Sequence, residues 1–276
     1  MPGTGEYEWD GFRSELPKEY NPERGFIATA NHNIHPKGFS PPVMFKSSNT
    51  LPYDRITRIL QVIKPGQLFS MEDSKKLQHD SYSLRGAEDQ KAFQGWTAKD
   101  ADVEKARDLV AKWDAVLAKD SVPAAIYITW RVLENQARPT DGPPIPATRA
   151  DVEELLPKAI QKLTADLGSD WSTWRYGRVH SQAFPHTLLS EFDLPTVERR
   201  GGNGSVAADG ASYREIIDVS NWDNSLTVNV PGQSAQPESP YFSNLLKYWA
   251  NDEYFQMAFS KKAVDDKAAH RLKLVP

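Results

Sequence analysis

The stretch Asn21 to Asn33, NPERGFIATANHN, constrains the fold more than any other part of the chain. Asn21-Pro22 opens a turn, and Gly25 permits the positive φ that helps a turn lead into a strand. Phe26-Ile27-Ala28-Thr29-Ala30 is a short apolar run, which predicts a buried strand. The run stops abruptly at Asn31-His32-Asn33. Small side chains along a strand let a ligand approach closely, and an Asn at the rim offers a neutral NH2 donor. A donor fixed on a rigid element and aimed at developing negative charge is what an oxyanion site needs. The same tripeptide is more commonly a turn whose Asx side chains bond their own backbone, so chemistry alone leaves both readings open.

The 276 residues suffice for one large domain or two small ones. A mean hydropathy of −0.60 is slightly polar, but eight Trp, ten Tyr and eleven Phe point to a packed core and exclude a disordered chain. Twenty Pro predict many loops. A net charge of −4 with scattered Lys and Arg excludes a nucleic-acid surface. No apolar run approaches the ~20 residues of a membrane helix. The opening MPGTGEYEWDGF has neither the basic nor the apolar region of a signal peptide. The lack of cysteine excludes disulfides and thiol catalysis but leaves the compartment open.

Along the chain, Trp9 and Phe12 look like anchors onto a core. The Pro-rich passage from His35 to Pro52 reads as an ordered loop, followed by a helix from Tyr53 to Leu60. Arg55 and Arg58 share a face of that helix, a pattern that usually marks a solvated or salt-bridged edge. Ser70-Met71-Glu72-Asp73 is a capping box, and His79 on the following helix is expected to be exposed. Residues 84–99 read as a polar loop. Val103, Ala106, Val110, Trp113 and Leu117 form a stripe at helical spacing over 102–118. A helix near 121–137, opened by Asp120-Ser121-Val122-Pro123, completes an αα-hairpin that buries Ile126, Trp130 and Leu133. Thr148 to Asp151 is a second capping box, opening a helix through about Asp166 that Gly168 closes.

From Asp170 the chain becomes aromatic loop and strand. His180 and His186 invite a metal reading, but their spacing is not that of a ligand pair, and no HxE, HExxH or cysteine accompanies them. Gly201 to Ser205 lacks the Lys-Ser/Thr end of a phosphate loop and reads as a tight loop. Tyr213 to Val219 and Leu226 to Val230 are strands by alternation and β-branching. The chain thus divides into a core-strand region (1–60), a helical region (61–168) and an aromatic-loop and strand region (169–276).

These motifs, in this order, resemble the penicillin acylase family of N-terminal-nucleophile hydrolases. The family carries an N-P-x-x-G-[YF]-I-x-x-x-N-[NH] stretch late in its β-chain, matched here by Asn21 to His32. Its W-x-G-[FY] segment matches Trp9 to Phe12, its R-x-x-R-I matches Arg55 to Ile59, and its D-x-x-x-L-Q-x-D matches Asp73 to Asp80. The C-terminal order is similar too: Ser212-Tyr213-Arg214, Asp218, Trp222-Asp223-Asn224-Ser225, Pro231-Gly232-Gln233-Ser234, Ser239-Pro240 and a helix with Trp249. The chain departs at Gly202-Asn203-Gly204-Ser205-Val206, where the family often has G-D-G-D-T-V, and at Ser239-Pro240-Tyr241, where it often has S-P-H.

The resemblance implies an α+β chain, the C-terminal portion of an αββα sandwich with antiparallel strands and a helical insertion. It implies hydrolysis of linear amides, such as the acyl side chains of β-lactams or acyl-homoserine lactones, in the periplasm or outside the cell. It assigns Asn31 as the oxyanion donor and Arg55 as the residue that orients it, with Arg58 as second choice. Asp73 and Asp80 are expected to be cap and surface-network residues. The family's nucleophile, a Ser freed at the β-chain N-terminus by self-cleavage, lies far upstream of the Asn motif. No residue here matches it, so this single partial domain is expected to need an N-terminal portion (α-chain and start of β-chain) as partner. Most of the family's calcium ligands also lie upstream, so no metal or other cofactor is expected here. The competing expectation is a non-catalytic binding module using Trp171 to Tyr176 as an aromatic ligand platform.

Overall fold

Side-chain caps start the helices that build the core. Asp100, Ser121 and Thr148 each accept a backbone N–H in the first turn of α4 (Ala101–Ala111), α5 (Val122–Ala137) and α6 (Arg149–Leu167). Thr148 and Asp151 close a reciprocal capping box, and Gly168 ends α6 at φ 91. The computed structural model describes residues 3–9, 11, 12, 15–36, 38–40, 54–139, 145–202, 204–208 and 211–275. Most of the expected Pro-rich loop lies outside the described residues.

The apolar stripes of α4, α5 and α6 face one another. Val110, Ile126, Trp130, Leu156 and Leu163 are fully buried in one cluster, with Phe93 set edge-on to Trp130 at 5.1 Å. Burying each such side chain contributes about 1.5–3 kcal/mol. Asp89, also buried, accepts from the Tyr127 hydroxyl at 2.9 Å and from Arg85 Nε at 3.1 Å. Burial and then the Asp89 charge push the Tyr127 phenol well up, so it stays a donor.

Three expectations change in this region. Residues 84–93 are not a loop: they form α3 (Leu84–Asp89) and a 3₁₀ turn, Gln90–Phe93. Ser83 caps α3, and Gly86 leaves room for Trp113, whose ring atoms would lie 2.8 Å from any Cβ there. The stripe over 102–118 stays helical only to Ala111; Ala115 turns at φ 61, and Trp113 and Leu117 reach the core from the turn. Trp174 and Tyr176 are fully buried in this same core, so they present no aromatic platform to a ligand.

Gly201 carries the C-terminal part onto this core. Its N–H donates to Leu117 at 2.9 Å, and its φ of 76 with Ala207 O only 2.3 Å from a Cβ position admits no other residue without displacement. β1 (Ser181–Phe184) pairs antiparallel with β2 (Leu194–Glu198). β3 (Arg214–Ile216), β4 (Leu226–Val228) and β5 (Phe255–Gln256) form a second antiparallel sheet, with Arg214 opposite Val228 and Leu226 opposite Gln256. Val228, Leu246 and Trp249 make a smaller core under it, the last two on α8 (Leu246–Ala250). α7 (Tyr176–Val179) precedes β1, and α9 (Lys261–Lys267) is the last helix. Among the described residues no helix is long and apolar enough to cross a membrane.

The run Phe26 to Ala30 forms no sheet. Burial still alternates residue by residue from Pro22 to Asn31, with Phe26, Ala28 and Ala30 half-buried and Ile27, Thr29 and Asn31 exposed, the parity of a strand. A strand needs a neighbour to take its N–H and C=O groups, and none of the described strands pairs with it. Trp9 and Phe12 are likewise exposed, at 90% and 102%, and anchor nothing.

Candidate functional site

The turn before the run forms as its residues dictate. Gly25 N–H donates to Pro22 O at 2.9 Å, with Gly25 at φ 80 and Asn21 at φ 44. The run ends where Asn31 takes the left-handed conformation, φ 58, which Asn tolerates better than most residues. Asn33 accepts from His35 N–H at 3.0 Å, an Asx turn, and His32 Nδ1 accepts from Ala30 N–H at 3.3 Å. The tripeptide therefore divides: His32 and Asn33 bond their own backbone, and Asn31 points elsewhere.

Asn31 meets Arg55, 24 positions on and at the start of α1 (Asp54–Val62). Arg55 Nη2 donates to Asn31 Oδ1 at 2.9 Å and to Ala30 O at 2.7 Å. One guanidinium thus holds both the backbone and the side chain at the end of the run. With Oδ1 accepting from a guanidinium, the remaining hydrogen-bonding group of the Asn31 amide is its NH2 donor. The neighbouring Asp54 has its carboxyl pushed up by burial, opposed by Arg85 and reinforced by the charge of Asp89.

Arg58 does not reach Asn31. Its Nε donates to Asp80 Oδ2 at 2.7 Å, and its guanidinium lies 4.7 Å from the Tyr82 ring centre. Asp73 caps α2 (Met71–Gln78) in the expected capping box with Ser70. His79 is not exposed: its side chain is 10% accessible. His79 Nδ1 stands 3.1 Å from Asp252 Oδ1, a charge-pair distance off the line of a hydrogen bond, and Nε2 is 2.8 Å from the Tyr254 hydroxyl. Arg199 and Arg200 also pair with Asp252, at 3.1 and 2.6 Å. No local signal announces this cluster, whose His79 and Tyr254 are 175 positions apart.

His180 stacks on Tyr176 at 4.8 Å and His186 meets Phe192 edge-on at 5.3 Å, each in its own surroundings. Among the described residues no three His, Asp or Glu gather as metal ligands. A cleft of about 430 Å³ lies against the turn before Asn31, lined by Asn21, Pro22, Gly25, Phe26 and Ile27. That is within the size range of small-molecule sites.

The chain combines helices and small antiparallel sheets with an arginine-held asparagine at the end of an extended apolar run. The chain belongs to the penicillin amidase family, whose model matches residues 1–266. It is 24% identical to penicillin acylase 2 proenzyme of Pseudomonas sp. (strain SE83), over 100% of this chain and 42% of the proenzyme. It is 23% identical to the acyl-homoserine lactone acylase QuiP of Pseudomonas syringae pv. syringae, over 91% of this chain and 39% of that protein. The fold matches thermostable penicillin G acylase from Alcaligenes faecalis with a TM-score of 0.53 and 15% identity, over 99% of this chain and 61% of that one. The chain spans about two fifths of the length of the curated relatives it matches.

Proposed function

We propose that this chain is the oxyanion-stabilising part of an amidohydrolase that cleaves linear amides, acyl β-lactams or acyl-homoserine lactones being the substrate classes its relatives' names suggest. The observation that supports this is the pair of hydrogen bonds that Arg55 Nη2 donates to Ala30 O and Asn31 Oδ1, which leaves the Asn31 NH2 as the donor of this reading. In the reaction, a serine at a free N-terminus attacks the amide carbonyl, its own α-amine taking the proton. The carbonyl oxygen becomes an oxyanion, and the Asn31 NH2 bonds it more strongly than it bonds the ground-state carbonyl. Arg55 keeps that donor from rotating away. Its charge lies behind Oδ1, polarising the amide toward a stronger donor.

The serine, in this reading, comes from residues outside the segment described here, as the order of the family motifs implies. The test is hydrolysis of phenylacetyl amides and acyl-homoserine lactones by the purified chain, alone and co-expressed with the coding sequence upstream of it. Activity is expected only in the second case. Turnover by the chain alone, abolished by a point substitution within it, refutes the division of labour. The same reading places the assembled enzyme in the periplasm or outside the cell; co-fractionation of the native protein with a cytosolic marker contradicts that.

A further inference from the structure

We infer that Asp80 is a positioning residue for the Asn31 donor, acting through Arg58 and the helix α1; this rests on the reading of Asn31 just given. Helix α1 has nine residues and a single buried one, Ile56, itself 8% accessible, so apolar packing alone does not define its rotation. The Arg58–Asp80 pair supplies what packing does not. Arg58 sits one helical turn after Arg55, on the same face, about 4.5 Å further along the axis at 1.5 Å per residue. Any tilt or roll of α1 about Arg58 is therefore carried to the guanidinium that grips Asn31.

Asp80 is itself rigidly held, with 13% of its side chain accessible. Its Oδ1 accepts from Tyr82 N–H at 2.9 Å, and its backbone carbonyl accepts from Ala207 N–H at 2.9 Å. The next residues are tied to the main core: Ser81 O accepts from Leu117 N–H at 2.9 Å, and Tyr82 bridges to Val116. The Tyr82 ring then lies against the Arg58 guanidinium, fixing its plane as well as its position. A continuous set of contacts thus runs from Leu117 through Asp80 and Arg58 to Arg55 and Asn31. The two bonds of Arg55, at 2.7 and 2.9 Å, tolerate little displacement before they weaken.

The experiment has two arms. In the assembled enzyme with this chain ¹⁵N-labelled, the side-chain amide resonances of Asn31, assigned by their loss in Asn31→Asp, are expected to shift in Asp80→Asn and in Arg58→Lys. Lys keeps the charge but has neither the Nε–H geometry nor the planar face, so it does not substitute. In the assembled enzyme, Asp80→Asn is expected to lower kcat roughly 10- to 100-fold with KM little changed, the usual cost of misplacing a catalytic group by about an ångström. Added to Asn31→Ala, it is expected to cost nothing more. Unmoved Asn31 resonances in both variants, with thermal unfolding intact, overturn the inference whatever Asn31 does in catalysis. A kcat loss from Asp80→Asn that adds in full to that of Asn31→Ala overturns it too. Moved resonances together with an unaffected kcat in Asn31→Asp leave the positioning standing and overturn the oxyanion reading instead.

Discussion

Replacing Asn31 separates the donor from the backbone it sits on. At φ 58, Asn31→Ala forces a Cβ-bearing residue without a helpful polar side chain into the left-handed region, at a cost of about 1–2 kcal/mol. It also removes the acceptor for Arg55, a charge-assisted bond at an exposed position that contributes about 1 kcal/mol or less. A stability loss of roughly 2 kcal/mol follows for Ala. Asn31→Gly relieves the strain, and Asn31→Asp keeps the acceptor and strengthens its pairing with Arg55, so neither is expected to lower stability as much. All three remove the NH2. Each is therefore expected to cut kcat of the assembled enzyme by roughly 10²- to 10³-fold with little change in KM, Asp the most because it sets a negative charge beside the oxyanion. The assays are steady-state hydrolysis of a chromogenic phenylacetyl amide and thermal unfolding of the same samples. If Asn31→Gly or Asn31→Asp keeps kcat within a factor of about three, or if the kcat losses simply follow the stability losses, Asn31 is not the donor. Asn33→Ala, which removes only the Asx turn to His35, is expected to have the smaller effect. The reverse ranking of Asn31→Ala and Asn33→Ala means that the motif is matched one pair out.

Three further outcomes are expected. Burial pushes the Asp252 carboxyl up, but His79, Arg199 and Arg200 outweigh it and bring it down to about 2. A depressed carboxylate contributes above its unfolded pKa near 3.8 and loses that contribution as pH falls toward 2, so Asp252→Asn is expected to cost about 2 kcal/mol at neutral pH and progressively less below pH 4 in calorimetric melts. Gly201→Ala meets Ala207 O at 2.3 Å as well as an unfavourable φ, and is expected to cost at least about 2 kcal/mol in urea unfolding; a change under about 0.5 kcal/mol shows that the loop yields freely. The exposed Trp9, Phe12, Ile27 and Ile34, on a segment whose apolar run has no sheet partner, are expected to make the isolated chain bind a hydrophobic dye and self-associate, and a dye-silent monomer with a sharp two-state melt contradicts this.

Local signals in the sequence were enough for the caps at Ser70, Ser121 and Thr148, the end of α6 at Gly168, the turn at Pro22–Gly25, and two of the C-terminal strands. Each depends on a side chain bonding a backbone group within four residues, or on a periodicity set by one element, and such effects are written in neighbouring positions. The family motifs were legible for the same reason, as short ordered runs. Only the tertiary structure decided which of the two arginines reaches Asn31, because that depends on the roll of α1 against residues 80–82. It also drew His79 inward to Asp252 and Tyr254, and placed Trp174 and Tyr176 in the core rather than on a surface. The unpaired run at Phe26 to Ala30 makes the same point: its composition specifies a strand, and sheet formation waits on a neighbour that its own residues cannot supply.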